Sequence, residues 1–255
     1  MPRYFVMLKP TNVCIVNDLS RDSQMSVAAA DVEAIIPAAG QGTRLGLGPK
    51  AFVVLAGRTL LEHAVATMLA VATRVTVAVP PSDVARAEYL VGGPLVRIVA
   101  GGARRIDTLR ILVAAATSPL LVLHDVVHPF VTAQLAQHVI EEARRAGAAA
   151  ASLPNVDFLY ARDGTPQAAP GAVVAVQKPV AFLRADIVRG FAAADGAASG
   201  GFVADLGAVD ILALAGQRVA FVPGHTLNYK LTASEDLALA QRLMALGSLA
   251  VVADD

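Results

Sequence analysis

The chain contains a single cysteine, Cys14, among 255 residues. That excludes an intramolecular disulfide and a multi-cysteine zinc site, and it fits a reducing, cytoplasmic setting. Excess charge is absent as well: Lys plus Arg and Asp plus Glu are equal at 21 each, so no overall positive field recruits nucleic acid or an anionic membrane. The longest charge-free apolar run, 111–123, contains Ser118 and Pro119 and falls short of the roughly 20 residues that span a bilayer. Aromatic residues make up only 5%, yet 55% of the chain is hydrophobic, which supports one large or two modest domains with ample core and argues against disorder. Lys9 and Pro10 interrupt the only apolar patch of the first 24 residues, which therefore make a poor signal peptide. Met25 is a candidate natural start, and 1–30 reads as an N-terminal tail ahead of one domain over 31–250.

From residue 33 short strand-like runs alternate with longer helix-like ones. "EAIIPA" (33–38), "RVTVAV" (74–79), "LVRIV" (95–99), "PLLVLH" (119–124) and "AAASLP" (149–154) read as strands. Between them 59–72, 82–91, 105–116 and 132–147 carry helical periodicity, the last with a Thr N-cap and a Gly stop. Strands separated by helices of this length predict a doubly wound, mostly parallel α/β sheet covered on both faces. The rhythm changes at 155–178, where Pro, Gly and "AVVAVQ" predict a β-hairpin arm leaving the main sheet. Residues 216–231 read as two further strands, and 232–246 as a terminal helix with Thr232 and Glu235 in capping-box spacing.

The stretch "AIIPAAGQGTRLGLGPK" (34–50) carries the chemistry: a buried strand runs into glycines that let a backbone lie close to a ligand, with Arg44 and Lys50 bringing positive charge to the same place. A dinucleotide fingerprint fails because its third glycine position is Leu45, and a Walker A loop fails because Lys50 is followed by Ala51. A-A-G-x-G-x-R followed by P-K is the nucleotidyltransferase loop, in which glycine amides surround the phosphates and Arg44 and Lys50 neutralise them.

With "LLEHAV" (60–65), "GGARRIDTL" (101–109), "HDVVHPF" (124–130), "QKPVAF" (177–182) and "NYKLTASEDLALA" (228–240) following in order, the chain resembles the cytidylyltransferases that form CDP-sugar alcohols, chiefly the 2-C-methyl-D-erythritol 4-phosphate cytidylyltransferase family, over about 33–246. The resemblance implies a Rossmann-like nucleotidyltransferase fold whose arm makes a homodimer. It implies a CTP site in which Ala38, Ala39, Gly40 and Gly42 contact the nucleotide through backbone groups, with Arg44 and Lys50 on the triphosphate. Gly101, Gly102 and Arg105 match a segment beside the cytosine, and Thr108 stands where the family usually has serine. Asp125 matches the aspartate near the phosphates and magnesium, and Lys230 the lysine that stabilises the pentavalent phosphorus. The catalytic set so implied is Arg44, Lys50 and Lys230. His63 and His225 lack metal-ligand spacing and read as structural or surface residues.

The acceptor side departs from that pattern. The family writes H-D-A-A-R-P where this chain has His128 at the arginine, D-T where Asp157 is followed by Phe158, and Q-T-P-Q where "QKPV" puts Lys178 at the threonine. Its arm arginine falls at Pro170 or neighbouring small residues, and its T-D-D segment has only "VADLGAVD" (203–210) as a counterpart. Neutral imidazole, Phe or Pro does not replace an arginine that grips phosphate bidentately; two compensations stay open, Lys178 restoring one positive charge or Phe158 and Tyr160 lining the pocket for a less polar acceptor.

The expected reaction is transfer of CMP from CTP to a sugar-alcohol phosphate such as methylerythritol phosphate. The acceptor phosphate attacks the α-phosphorus in line, pyrophosphate leaves, and catalysis rests on positioning and charge neutralisation with a magnesium ion at Asp125. Three alternatives stay open on sequence: another acceptor such as ribitol phosphate or a phosphonate, another nucleotide, or a nucleotide-binding relative without turnover.

Overall fold

A computed structural model describes residues 32–40, 48–197 and 206–246. The expected tail 1–30, Gly42, Arg44 and the first part of 203–210 lie outside the described residues.

Strand β1 (Val32–Pro37) is followed, among the described residues, by a 3-10 turn at Lys50–Phe52, a small ladder of β2 (Val54–Leu55) and β3 (Arg58–Thr59) and then α1 (Leu60–Leu69). β4 (Arg74–Val79), α2 (Val84–Val91), β5 (Val96–Ala100), α3 (Arg105–Ala115), β6 (Leu120–Leu123), α4 (Ala133–Ala146) and β7 (Ala148–Pro154) follow in strict alternation. The arm carries β8 (Leu159–Tyr160) and β9 (Pro166–Ala168), and β10 (Val174–Leu183) returns from it. Helices α5 (Arg184–Ala197) and α6 (Ala208–Leu214), strand β11 (Ala220–Pro223) and α7 (Ser234–Ala245) complete the described chain.

Seven strands form one sheet in the order β11-β7-β10-β6-β1-β4-β5. β1 pairs in parallel with both β4 and β6, β4 with β5, and β11 with β7, while β10 is antiparallel to both of its neighbours. The period of two along each strand divides the core. Ala34, Ile36, Val75, Val77, Leu120 and Val122 enter one cluster under α1, α4 and α7, and Ile35, Ala78, Leu121 and Leu123 enter the other under α3, α5 and α6. Burial on both faces is why these strands read as nearly continuous aliphatic runs. Four consecutive buried alanines, Ala148–Ala151, have little β propensity of their own; their small size lets α4 lie close over β7.

A charged residue, Glu33, is built into this framework. Glu33 on β1 is buried and accepts from Thr76 Oγ1 at 2.9 Å and from the backbone N–H of Thr117 at 2.9 Å, so it ties β1, β4 and the entry to β6 together at the end of the sheet away from the glycine loop.

The helices begin where their caps sit. Thr59 and Glu62 make a reciprocal capping box at α1, the Thr132 hydroxyl accepts from Leu135 N at α4, and Gly147 closes α4 at φ 85°. The last helix corrects a sequence expectation. It starts at Ser234, one residue later than a Thr232 cap requires, and the carboxylate that caps it belongs to Asp236, which accepts from Thr232 N at 2.7 Å and Ala233 N at 2.8 Å. The 216–231 segment also differs: only Ala220–Pro223 forms a strand. Beyond the Gly224 N to Ser152 O bond the Gln177 side chain occupies the place of a neighbouring backbone, and 224–231 follows an irregular path. The expected "AVVAVQ" strand exists as the outer part of β10, which runs from the arm back into the main sheet.

Removing the cap of α7 by Asp236→Ala is expected to cost about 1 kcal/mol of unfolding free energy in urea, whereas Glu235→Ala stays within ~0.5 kcal/mol. Equal losses from the two variants would contradict the capping assignment.

Candidate active site

β1 lies where the connections reverse direction, with β4 on one side and β6 on the other, and ligands of doubly wound sheets bind outside the strand ends at such a point. The strands' backbone bonding continues past their ends here: Ala38 N donates to Ala78 O, Gly101 N to Val79 O and His124 N to Ile35 O. The three candidate loops are thereby held against one another.

A cavity of about 390 Å³ opens between them, lined by Ala38, Ala39, Gly40, Lys50, Gly102, Arg105, Thr108, Asp125 and Lys230 among others. All nine were singled out in the sequence. Gly101 stands behind the wall, because a Cβ there would fall 2.6 Å from Ala39 Cβ; one on Gly102 would fall 2.5 Å from Asp107 Cβ. The glycine pair thus permits the close approach of this turn to β1 and α3. Thr108, buried, accepts from Gly102 N at 3.1 Å and pins the same turn. A Cβ on Gly40 would meet nothing within 4 Å, so no protein atom among the described residues requires glycine there, and the space it leaves belongs to the cavity. Lys50 follows Pro49 in the 3-10 turn, and its Nζ donates to Leu231 O at 3.0 Å, which couples the glycine loop to the segment bearing Lys230.

A second cavity of about 280 Å³ adjoins the first. Arg105, Asp125 and Lys230 line both, and His128, Gln177, Lys178 and Asn228 belong to the second. The register of β10 against β7 slips between Val176 and Val180, leaving Gln177, Lys178 and Pro179 outside the ladder, with a cis Lys178–Pro179 bond. A bulge of this kind re-aims side chains; here it buries Gln177 and Lys178 beside the site. Gln177 Nε2 donates to His225 O at 2.9 Å and Asn228 O at 3.0 Å, and Asn228 Nδ2 donates to Lys178 O at 2.7 Å. Single-residue reasoning missed Gln177 and Asn228, although both stand in stretches that mark the resemblance. Their signal was a polar residue inside each otherwise specific motif. Asp157 and Phe158 line neither cavity; both lie exposed on the arm, Phe158 at 66%. His63 and His225 are structural, with His63 Nε2 2.8 Å from Leu55 O and His225 Nδ1 accepting from Leu227 N.

The electrostatics are those of a buried acid among bases. Burial alone would raise the Asp125 carboxyl, but Lys178, Arg105 and the two histidines outweigh it and hold the group below its ordinary value; Arg105 Nη2 is 4.0 Å away. Burial lowers the Lys178 amine, opposed by Asp125 and reinforced by Arg105 and Lys230. Burial likewise lowers His128, and its Nδ1 lies 3.2 Å from Asn228 Oδ1 and 3.3 Å from Asn228 O. Both are acceptors, so Nδ1 carries the proton and Nε2 of the neutral ring is the acceptor. His124, fully buried with Nδ1 unpartnered among the described residues, is pushed down to about 3 by burial first and by His128 second.

No group of three or more His, Cys, Asp or Glu able to hold a metal occurs among the described residues. Magnesium, however, binds through one or two carboxylates with phosphate oxygens and water completing its shell, and Asp125 at the junction of the two cavities fits that donor set. No helix among the described residues is long and apolar enough to cross a membrane.

A doubly wound sheet with a glycine-lined, basic cavity at its switch point, adjoining a second basic chamber across one carboxylate, is the layout of a ligand-binding α/β protein. Residues 32–245 match the family model described as 2-C-methyl-D-erythritol 4-phosphate cytidylyltransferase, and the chain belongs to that family. It is 40% identical over 219 residues to the 2-C-methyl-D-erythritol 4-phosphate cytidylyltransferase of Thermus thermophilus, covering 84% of this chain and 97% of that one. It is 38% identical over 213 residues to the protein of that name from Deinococcus radiodurans, covering 82% and 88%. The crystal structure of the Thermus thermophilus protein superposes with a TM-score of 0.71 at 34% identity, over 84% of this chain and 99% of that chain.

The neutral His124 ring contributes stability above its ordinary value of 6.5, and that contribution is lost as pH falls toward about 3. The unfolding free energy is therefore expected to drop below pH 6.5 with a component of about 1.4 kcal/mol per pH unit that His124→Phe removes. Identical slopes for the two proteins between pH 6 and 4.5 would contradict it.

Proposed function

We propose that this protein transfers CMP from CTP to 2-C-methyl-D-erythritol 4-phosphate and releases pyrophosphate. The observation that carries the reading is the sharing of Arg105, Asp125 and Lys230 by two adjacent cavities, which lets a nucleotide in one and a phosphorylated acceptor in the other meet at a common wall. Relatives at 38–40% identity over more than four-fifths of the chain supply the particular substrates. Another acceptor or a loss of turnover is not favoured beside them.

In this reading the first cavity holds CTP. Backbone groups of Ala38, Ala39 and Gly40, with Gly42, follow the nucleotide, Arg44 and Lys50 neutralise the triphosphate, and the Gly101–Gly102 turn, held by Thr108, presents the base-side wall. The acceptor phosphate is already an anion and needs no general base. Its attack on the α-phosphorus is aided by holding the two ligands in line and by Lys50 and Lys230 placed where negative charge accumulates. Asp125 is the residue that holds magnesium. When bound, the ion supplies neutralisation of phosphate oxygens. Localisation is cytoplasmic, consistent with the single cysteine.

The arm exposes Val156, Phe158, Tyr160 and Val176, an apolar strip that a second copy of the chain would cover. A homodimer through this strip brings the partner's arm, with its own Asp157 and Phe158, toward the acceptor chamber. A light-scattering mass of twice the chain, reduced to one by Phe158→Glu, is the expected result; an unchanged mass in the variant would contradict the interface.

The test of the function is pyrophosphate release from CTP with magnesium and methylerythritol phosphate, beside ATP, GTP and UTP and beside ribitol phosphate. Release that requires CTP and methylerythritol phosphate together is expected. Release with another pair only, or none, would overturn it.

A further inference from the structure

The second cavity is lined by three cationic side chains, Arg105, Lys178 and Lys230, against one carboxylate, Asp125. Arg105 lies at ion-pair distance from that carboxylate, so Asp125 is already partly neutralised. Lys178 is only 9% exposed and sits on the β10 bulge. A buried cation is costly unless paired, and a chamber with two more positive groups than negative ones is matched by a dianion. His128 faces the same chamber from the loop after β6. Its Nδ1 is engaged by Asn228, which leaves Nε2 as the ring nitrogen able to meet a ligand. That nitrogen accepts a hydrogen bond, and burial keeps the ring neutral.

We propose that Lys178 and His128 divide recognition of the acceptor between them: Lys178 holds its phosphate, and His128, oriented by Asn228 as a hydrogen-bond acceptor, reads one of its hydroxyl groups. The family pattern has arginine and threonine at these positions, so the charge has crossed the chamber from the β6 loop to the β10 bulge. The acceptor is then a monophosphorylated polyol. A second anionic group placed at His128 would meet a lone pair and be rejected. Burial draws the Lys178 amine down while the chamber lacks a counter-anion, and a bound phosphate reverses that.

The inference rests on the second cavity being the acceptor site. Steady-state kinetics with CTP and methylerythritol phosphate on the wild-type full-length protein test both. No turnover by the wild type would overturn the reading of the site and this inference with it. Given turnover, Lys178→Met is expected to raise the acceptor KM about 10- to 100-fold while the CTP KM stays within about twofold, the latter showing that the variant folds. Lys178→Thr is expected to lose comparably, and His128→Arg added to it to recover at least tenfold of that loss. His128→Phe is expected to narrow the preference for methylerythritol phosphate over its analogue lacking the hydroxyl that His128 reads, identified from a set of singly deoxygenated acceptors. An unchanged acceptor KM in Lys178→Met, or a double variant no better than Lys178→Thr, would overturn the division while leaving the function in place.

Discussion

The buried carboxylate of Asp125 sits among more positive charge than it can neutralise, and the arrangement of the site follows from that imbalance. Arg105 approaches it from the first turn of α3 and Lys178 acts on it from the bulge of β10, while Lys230, on the segment before α7, lines the same two cavities. Three distant parts of the chain therefore converge on one strand end. Their mutual repulsion is tolerated because the sheet, the Gln177–Asn228 hydrogen bonds and the tethering of Lys50 to Leu231 fix the backbone that carries them. The same excess of positive charge suits the two cavities to anions: a bound phosphate would supply the charge that folding leaves unmatched.

The parallel sheet gives the arrangement its stiffness. β1, β4 and β6 are buried on both faces, and the loops at their ends continue the ladder by one more hydrogen bond each. The glycine pair at 101–102 lies so close to β1 and α3 that side chains there would collide with Ala39 and Asp107. At the opposite end, Glu33 binds strands and connection together with its buried carboxylate. The loops around the cavities are thus held by backbone bonds and close packing of the elements themselves.

Much of this was legible in the sequence because the pattern there is local. The aliphatic runs at 74–79 and 119–124, the helix cap at Thr132 and the A-A-G start of the loop each state their structure within a few residues. What was not legible depends on contacts distant in sequence. Residues 224–231 have the composition of a strand, but Gln177, about 50 positions earlier, takes up the backbone groups that a neighbouring strand would use. The start of α7 is ambiguous in sequence by one residue because Glu235 and Asp236 both suit a cap, and only the turn geometry selects Asp236. In sequence His128 stands as a weakened arginine. Its neutrality and tautomer are set by Asn228, 100 residues away.

If both phosphorylated ligands meet across Asp125, CMP passes directly from one to the other and never resides on the protein. Exchange of labelled pyrophosphate into CTP measures this most directly. Direct transfer predicts no exchange when the protein is incubated with CTP, magnesium and labelled pyrophosphate alone, and exchange once the cytidylylated product is supplied. Incorporation of label without any acceptor or product would reveal a covalent CMP–protein species and contradict the account.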